Sequence, residues 1–172
     1  MSAAAPRGAV FFDRDGTLNE DLDYVHRVED LRWMPGAVEA VGLVNDHGLL
    51  AIVVTNQSGV GRGMYALDDM ERFHAAMIAD LAAGGARIDG WYACPFIENA
   101  VVPAYDHPNH PDRKPNPGMV LRAIEEFGLD PALCLMVGDK DRDIEAGRRA
   151  GVRGVLYEGG RLDALVRKAL GA

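Results

Sequence analysis

Four short apolar runs, residues 9–12, 49–54, 133–137 and 152–156, constrain the fold more than any other feature of this chain. They are rich in Val, Ile, Leu and Phe and lack polar alternation, as strands buried on both faces of a parallel sheet do. Helical stretches separate them. Pro35 and Gly48 bracket the first, with Ala37, Val41 and Val44 as its apolar stripe. Further helices are predicted over residues 68–83, from Pro117 to Gly128, over 141–150 and over 162–170. Residues 88–94 read as a fifth strand, weakened by Gly90. Such alternation predicts an α/β domain: a three-layer, Rossmann-like parallel sheet flanked by helices. At 172 residues the chain can bury one substantial core but is short for two, so a single domain over residues 1–172 is expected. Residues 1–7 carry no such pattern and are expected to be flexible.

A formal net charge of -8 disfavours nonspecific attraction to nucleic acid or to an anionic membrane. An anionic substrate would therefore need a local cationic pocket. Of the two cysteines, Cys134 lies in an apolar run and reads as a buried reduced thiol, so no disulfide framework is expected. No secretory signal or membrane-length apolar segment is evident. The expectation is a cytoplasmic protein, a monomer, with no nucleic-acid or membrane partner.

In open parallel sheets ligands bind beyond the carboxyl ends of the strands, so chemistry is sought just after each apolar run. The first is followed by Asp13-Arg14-Asp15-Gly16-Thr17, two carboxylates two positions apart before a turn-forming glycine. Two such acids repel unless a cation lies between them, and Mg2+ favours oxygen ligands together with phosphate oxygens. Asp13 is placed to attack phosphorus and Asp15 to donate a proton to the leaving oxygen. An Asp-rich bend is the plainer alternative. After the second run, Thr55-Asn56-Gln57-Ser58-Gly59 offers hydroxyls, amides and a flexible backbone, either a phosphate cradle or an ordinary polar turn. Arg113-Lys114 precedes a helix entrance, where it either neutralises phosphate or is a solvated basic pair. Gly138-Asp139 closes the fourth run, with Asp139 completing the metal site. Asp141 and Asp143 fall at a helix start, where acids cap amides and complement the dipole, so their reading is structural. Lys140 either faces substrate or lies on the surface, and the histidines at 26, 47 and 74 read as surface or helix positions.

Taken together, the acid pair, Thr55, Lys114 and Gly138-Asp139 resemble the four motifs of the haloacid dehalogenase superfamily of phosphohydrolases, and cover nearly the whole chain. Within it, residues 19–36, the run from Thr55 to Gly63 and Arg113-Lys114-Pro115-Asn116-Pro117-Gly118-Met119 resemble the D-glycero-D-manno-heptose-1,7-bisphosphate 7-phosphatase family, close relatives of histidinol-phosphate phosphatases. The resemblance implies Asp13 as nucleophile and Asp15 as acid/base. It implies Asp13, Asp15 and Asp139 as the magnesium site, Asp15 through its backbone carbonyl. Thr55 and Lys114 would hold the phosphoryl group, and Asp21 to Tyr24, Asn56, Gln57, Ser58, Arg113 and Lys140 would contact a small phosphorylated sugar. Two rivals remain: histidinol-phosphate hydrolysis on the same core, and a noncatalytic phosphosugar-binding domain that kept the fold.

The pattern departs from the family in one loop. Many members hold a structural zinc there through a Cys-x-His and a Cys-x-Cys pair before Arg-Lys. Here Cys94 stays, Phe96 stands at the paired histidine, and His110 and Asp112 stand at the later cysteines. Cys94, His107, His110 and Asp112 are the residues that could bind zinc. Because Phe96 removes a ligand and His-Pro repeats are common without metal, the expectation is a zinc-free loop. Residues 95–115 read as a long substrate-side loop. The interval between Thr17 and Leu49 is too short for the large cap domain of many relatives.

Overall fold

The computed structural model describes residues 7–172. The flexibility expected for the amino-terminal stretch falls on residues 1–6, outside that range, while Arg7 bridges Leu129. Five strands form one sheet: β1 (Ala9–Phe12), β2 (Leu50–Asn56), β3 (Gly90–Cys94), β4 (Leu135–Gly138) and β5 (Arg153–Leu156). Their order is β3-β2-β1-β4-β5 and every pairing is parallel. The chain winds outward from β1 to β3, then crosses to the other side for β4 and β5. This puts the topological switch between β1 and β4, where a ligand crevice is expected.

Among the described residues six helices accompany the sheet: α1 (Ala37–Asp46), α2 (Ser58–Gly61), α3 (Leu67–Ala83), α4 (Gly118–Phe127), α5 (Asp141–Arg149) and α6 (Leu162–Leu170). The unbroken apolar character of β1 has a direct cause. Val10 and Phe12 pack on one face with residues of α1, α3 and α6, whereas Ala9 and Phe11 pack on the other with residues of α4. Phe11 and Phe12 are fully buried, and each contributes roughly 2–3 kcal/mol by leaving water. The three-layer expectation therefore holds, and the 13–36 interval contains no inserted domain, only turns and one 3-10 turn at Val28–Asp30.

Strand and helix boundaries differ from the sequence reading for local reasons. β2 runs on to Asn56 because Thr55 and Asn56 pair with Ala93 and Cys94. β4 starts late because Pro131–Leu133 forms a 3-10 turn, capped by the Asp130 carboxylate accepting from the Ala132 amide. The short helix α2 was not expected. It lies beneath the Tyr65 ring, with no room for a side chain at Gly59. Residues 95–115 are irregular, with a 3-10 turn at Pro103–Tyr105, and are tied back by Ile97 amide to Tyr105 carbonyl (3.1 Å) and Val102 amide to Gly61 carbonyl (2.9 Å). Among the described residues no helix is long and apolar enough to cross a membrane.

Candidate active site

Asp13 leaves β1 with its amide still bonded to the Val137 carbonyl (3.0 Å), which holds its side chain over the gap between β1 and β4. The chain then turns sharply through Gly16 at φ +86°, a left-handed conformation that disfavours any side chain. A Cβ there would also run into the Asp139 carboxylate. Thr17 donates through Oγ1 to Asp139 Oδ1 at 3.4 Å, so the first turn and the end of β4 brace each other.

Lys114 reaches this gap from the segment before α4. Its ammonium meets Asp13 Oδ1 at 2.7 Å, Asp143 Oδ1 at 2.7 Å and the Val54 carbonyl at 2.8 Å. Asp13, Lys114 and Asp143 are all buried. The two carboxylates hold the Lys114 pKa above its ordinary value even though burial works the other way, so it remains an ammonium. Burial pushes Asp13 up to about 7 against the pull of Lys114, and Asp143 adds to the rise. Carboxylate oxygens of Asp13, Asp139 and Asp143 lie within 4.8 Å of one another. Asp13 and Asp143 thus share one buried ammonium, and Asp139 adds a third carboxylate beside them, so the cluster is short of buried positive charge. A hard divalent cation with oxygen ligands fits this donor set.

Asp143 corrects the sequence reading. Its carboxylate does cap α5, accepting from the Lys140 amide at 3.0 Å, but it is also completely buried against Lys114. A Cβ at Gly138 would collide with it, so this glycine gives Asp143 its place. The Gly138–Asp143 spacing is the signal that could have identified it. The Asp15 side chain is not part of that carboxylate cluster.

Asp15 sits instead in a cage of donors. Oδ1 accepts from Arg14 Nε (2.9 Å) and Asn19 Nδ2 (3.0 Å), and Oδ2 accepts from Arg14 Nη2 (3.0 Å) and Gln57 Nε2 (2.9 Å). The Gln57 amide is oriented by Tyr65, whose hydroxyl donates to Gln57 Oε1 at 2.5 Å; burial pushes that phenol up to about 12 and keeps it a donor. Gln57 Nε2 also donates to Thr55 Oγ1 (2.9 Å), linking the acid/base candidate to the phosphate-binding candidate. Asn56 is likewise committed: its amide donates to the Lys114 carbonyl (3.1 Å) and accepts from the Lys114 amide (3.0 Å). Both amides, read from sequence as phosphate donors, therefore brace neighbouring site residues.

A cleft of about 260 Å³ opens beside these groups. Asp13, Asp15, Asp21, Tyr24, Asn56, Gln57, Ser58 and Arg113 line it as the sequence suggested, whereas Thr55, Lys114, Asp139 and Lys140 do not. The Lys140 ammonium pairs with Asp139 at 3.4 Å on a half-exposed side chain. Asp23, within the predicted Asp21 to Tyr24 stretch, lines the cleft as well, whereas Arg62, Tyr65 and Arg142 also line it and were missed. Burial, with Arg142 and Arg62 nearby, lowers the Arg113 pKa. Asp23 and Tyr24 have φ of 58° and 57°, consecutive left-handed non-glycine residues in the cleft wall, a strained geometry that is enriched at functional sites.

In the long loop the His110 ring stacks on Phe96 at 3.9 Å with 9° between planes, and His107 meets both edge-on. His110 Nδ1 accepts from the Asp112 amide (3.1 Å), and the Asp112 carboxylate pairs with Arg122 (2.9 Å). Cys94 is buried, which raises its thiol pKa.

The HAD-hydrolase-like family model matches residues 112–169. The D-glycero-beta-D-manno-heptose-1,7-bisphosphate 7-phosphatase of Rhodopseudomonas palustris is 39% identical over 99% of this chain and 94% of its own length. The D-glycero-alpha-D-manno-heptose-1,7-bisphosphate 7-phosphatase of Burkholderia mallei is 45% identical over 84% of this chain and 76% of its own. Among solved structures, the D,D-heptose 1,7-bisphosphate phosphatase of B. bronchiseptica, complexed with magnesium and phosphate, matches with a TM-score of 0.81 and 26% identity, covering 96% of this chain and 98% of that one.

Proposed function

The chain belongs to the D-glycero-D-manno-heptose-1,7-bisphosphate 7-phosphatase family of HAD-like hydrolases, and from that membership we propose that it removes the 7-phosphate of D-glycero-D-manno-heptose 1,7-bisphosphate through an aspartyl-phosphate on Asp13. The observation that carries the mechanism is the meeting of Asp13, Lys114 and the Asp139–Asp143 pair at the carboxyl ends of β1 and β4.

Asp13 attacks phosphorus in line; the bond to its carboxylate forms as the bond to the sugar oxygen breaks, and Asp15 gives that oxygen its proton. Asp15 then takes a proton from water, which attacks the aspartyl-phosphate and frees inorganic phosphate. Thr55 and Lys114 stabilise the phosphoryl oxygens, with Asn56 and Gln57 holding them in place. Asp13, Asp139 and the Asp15 carbonyl would hold Mg2+, with Asp143 close by, and the bound ion would supply Lewis-acid stabilisation of phosphoryl charge. Arg62, Arg113 and Arg142 give the cleft the local positive charge that a second phosphate needs, and Asp21 and Asp23 offer acceptors for sugar hydroxyls.

Phosphate release from heptose 1,7-bisphosphate and from histidinol phosphate, measured side by side, tests the reading. The bisphosphate should show the higher kcat/KM, and turnover should vanish with chelator and return with Mg2+. A preference for histidinol phosphate would overturn the substrate, and inactivity with Mg2+ across a broad phosphate ester panel would favour the binding domain. Two free cysteines suit a reducing cytoplasm, where we propose the enzyme works.

We propose further that the loop over residues 95–115 is held by aromatic stacking rather than by zinc. Phe96 on His110, and the engagement of Asp112 by Arg122, support this. Purified protein should contain well under one zinc per chain by metal analysis. Stoichiometric zinc that survives dialysis would refute it.

A further inference from the structure

Among the described residues Arg14 is the bulkiest side chain to be fully buried, and the mechanism above gives it no task. Its guanidinium lies over the Phe73 ring at 4.6 Å and donates through Nη2 to the Val25 carbonyl at 2.8 Å. Nε and Nη2 grip the two oxygens of Asp15, and Nη1 meets His74 Nε2 at 3.1 Å. A guanidinium only donates, so His74 Nε2 must be the acceptor and its proton must sit on Nδ1. His74 lies on helix α3, one of the two positions read from sequence, but is buried there, and its ring stacks on Trp91 at 4.5 Å. Burial, and then the charge of Arg14, hold its pKa down at about 3, so the imidazole stays a neutral acceptor.

These contacts form a chain from Trp91 on β3 through His74 and Arg14 to the carboxylate of Asp15. A charge placed only for core stability would be poorly chosen, because apolar residues of like volume serve as well or better. Every guanidinium contact here instead fixes an angle. We propose that His74, acting through Arg14, is a positioning residue for Asp15, and that the buried arginine serves to aim the proton-transfer group. Asp15 accepts four hydrogen bonds, so a proton on it displaces one. The neutral amides of Asn19 and Gln57 are weaker donors than Arg14, so they yield while the guanidinium keeps the carboxylate aligned.

This assignment rests on the phosphatase reading, and leaving-group chemistry separates the two. When Asp13 attacks heptose 1,7-bisphosphate, a sugar alkoxide departs and needs the proton of Asp15. When it attacks p-nitrophenyl phosphate, nitrophenolate departs without one. In His74→Leu, the first-turnover rate on the bisphosphate should fall roughly 10- to 100-fold, with KM changed less than about threefold. The p-nitrophenol burst should stay within about threefold of wild type. His74→Gln, whose carbonyl can still accept from Arg14, should restore most of the lost rate. If His74→Leu does not fold, Arg14→Lys carries the same test, since it keeps the charge but cannot grip both Asp15 oxygens and His74 together. Equal loss on both substrates, or no loss on either, overturns the assignment alone. A wild type that turns over neither substrate overturns the phosphatase reading and this assignment with it.

Discussion

Asp13→Asn should abolish turnover, lowering kcat by about four orders of magnitude or more, as expected when a nucleophile of a concerted catalytic unit is lost. The argument is local. Asparagine keeps the shape and the Oδ1 acceptor that meets Lys114, but an amide is a far poorer nucleophile than a carboxylate. Asp143 still pairs with the ammonium, so the buried charge keeps a partner. The thermal midpoint should therefore stay within a few degrees of wild type, which excludes unfolding as the cause. The direct check is intact mass after a rapid quench: wild type should carry a phosphate adduct during turnover and the variant none. Full phosphate release by Asp13→Asn would exclude covalent catalysis at this residue.

Lys114→Ala should fail in two ways at once. Its ammonium is buried between two acids, 2.7 Å from both Asp13 and Asp143. Removing one partner of a buried charge cluster costs about 3–5 kcal/mol, because the carboxylates left behind lose their compensation. Chemistry suffers as well. Charge on the phosphoryl oxygens redistributes in the transition state, and a fixed cation acts more strongly there than on bound substrate, so kcat should fall roughly 100- to 1,000-fold. Denaturant unfolding and steady-state kinetics read the two effects separately. A raised KM with an unchanged kcat would mean that Lys114 merely binds substrate.

What could be read from the sequence, and what could not, follows from how each residue does its work. Asp13, Asp15 and Asp139 were legible because each sits where an apolar run stops, and strand ends converge in a parallel sheet. Lys114 was legible only through its company, since nothing local distinguishes it from a solvated lysine. Asp143 was misread because one carboxylate serves two purposes, capping α5 and meeting Lys114. Asn56 and Gln57 were identified as site residues and line the cleft, but their bracing of neighbours went unread: an amide that donates to phosphate and one that braces a neighbour look alike along a chain. Arg14 and His74 were invisible because polar residues are presumed solvated, and their burial depends on α3 folding over the β1 turn, a contact spanning 60 residues. Arg62, just after α2, and Arg142, on α5, line the cleft, and no periodicity marks that direction.

The paired bonds between the Asn56 side chain and the Lys114 backbone imitate a stretch of β-ladder, and they fasten the far end of the long loop to the sheet. Between Cys94 and that fastening, Arg113 alone among the predicted site residues reaches the cleft. On the proposed reading, exchange of the segment before Arg113 would alter which sugars are admitted while Asn56 and the Val54 carbonyl keep the ammonium anchored. Selectivity and bond-breaking would thus be separately adjustable, with Asn56 as one joint between them.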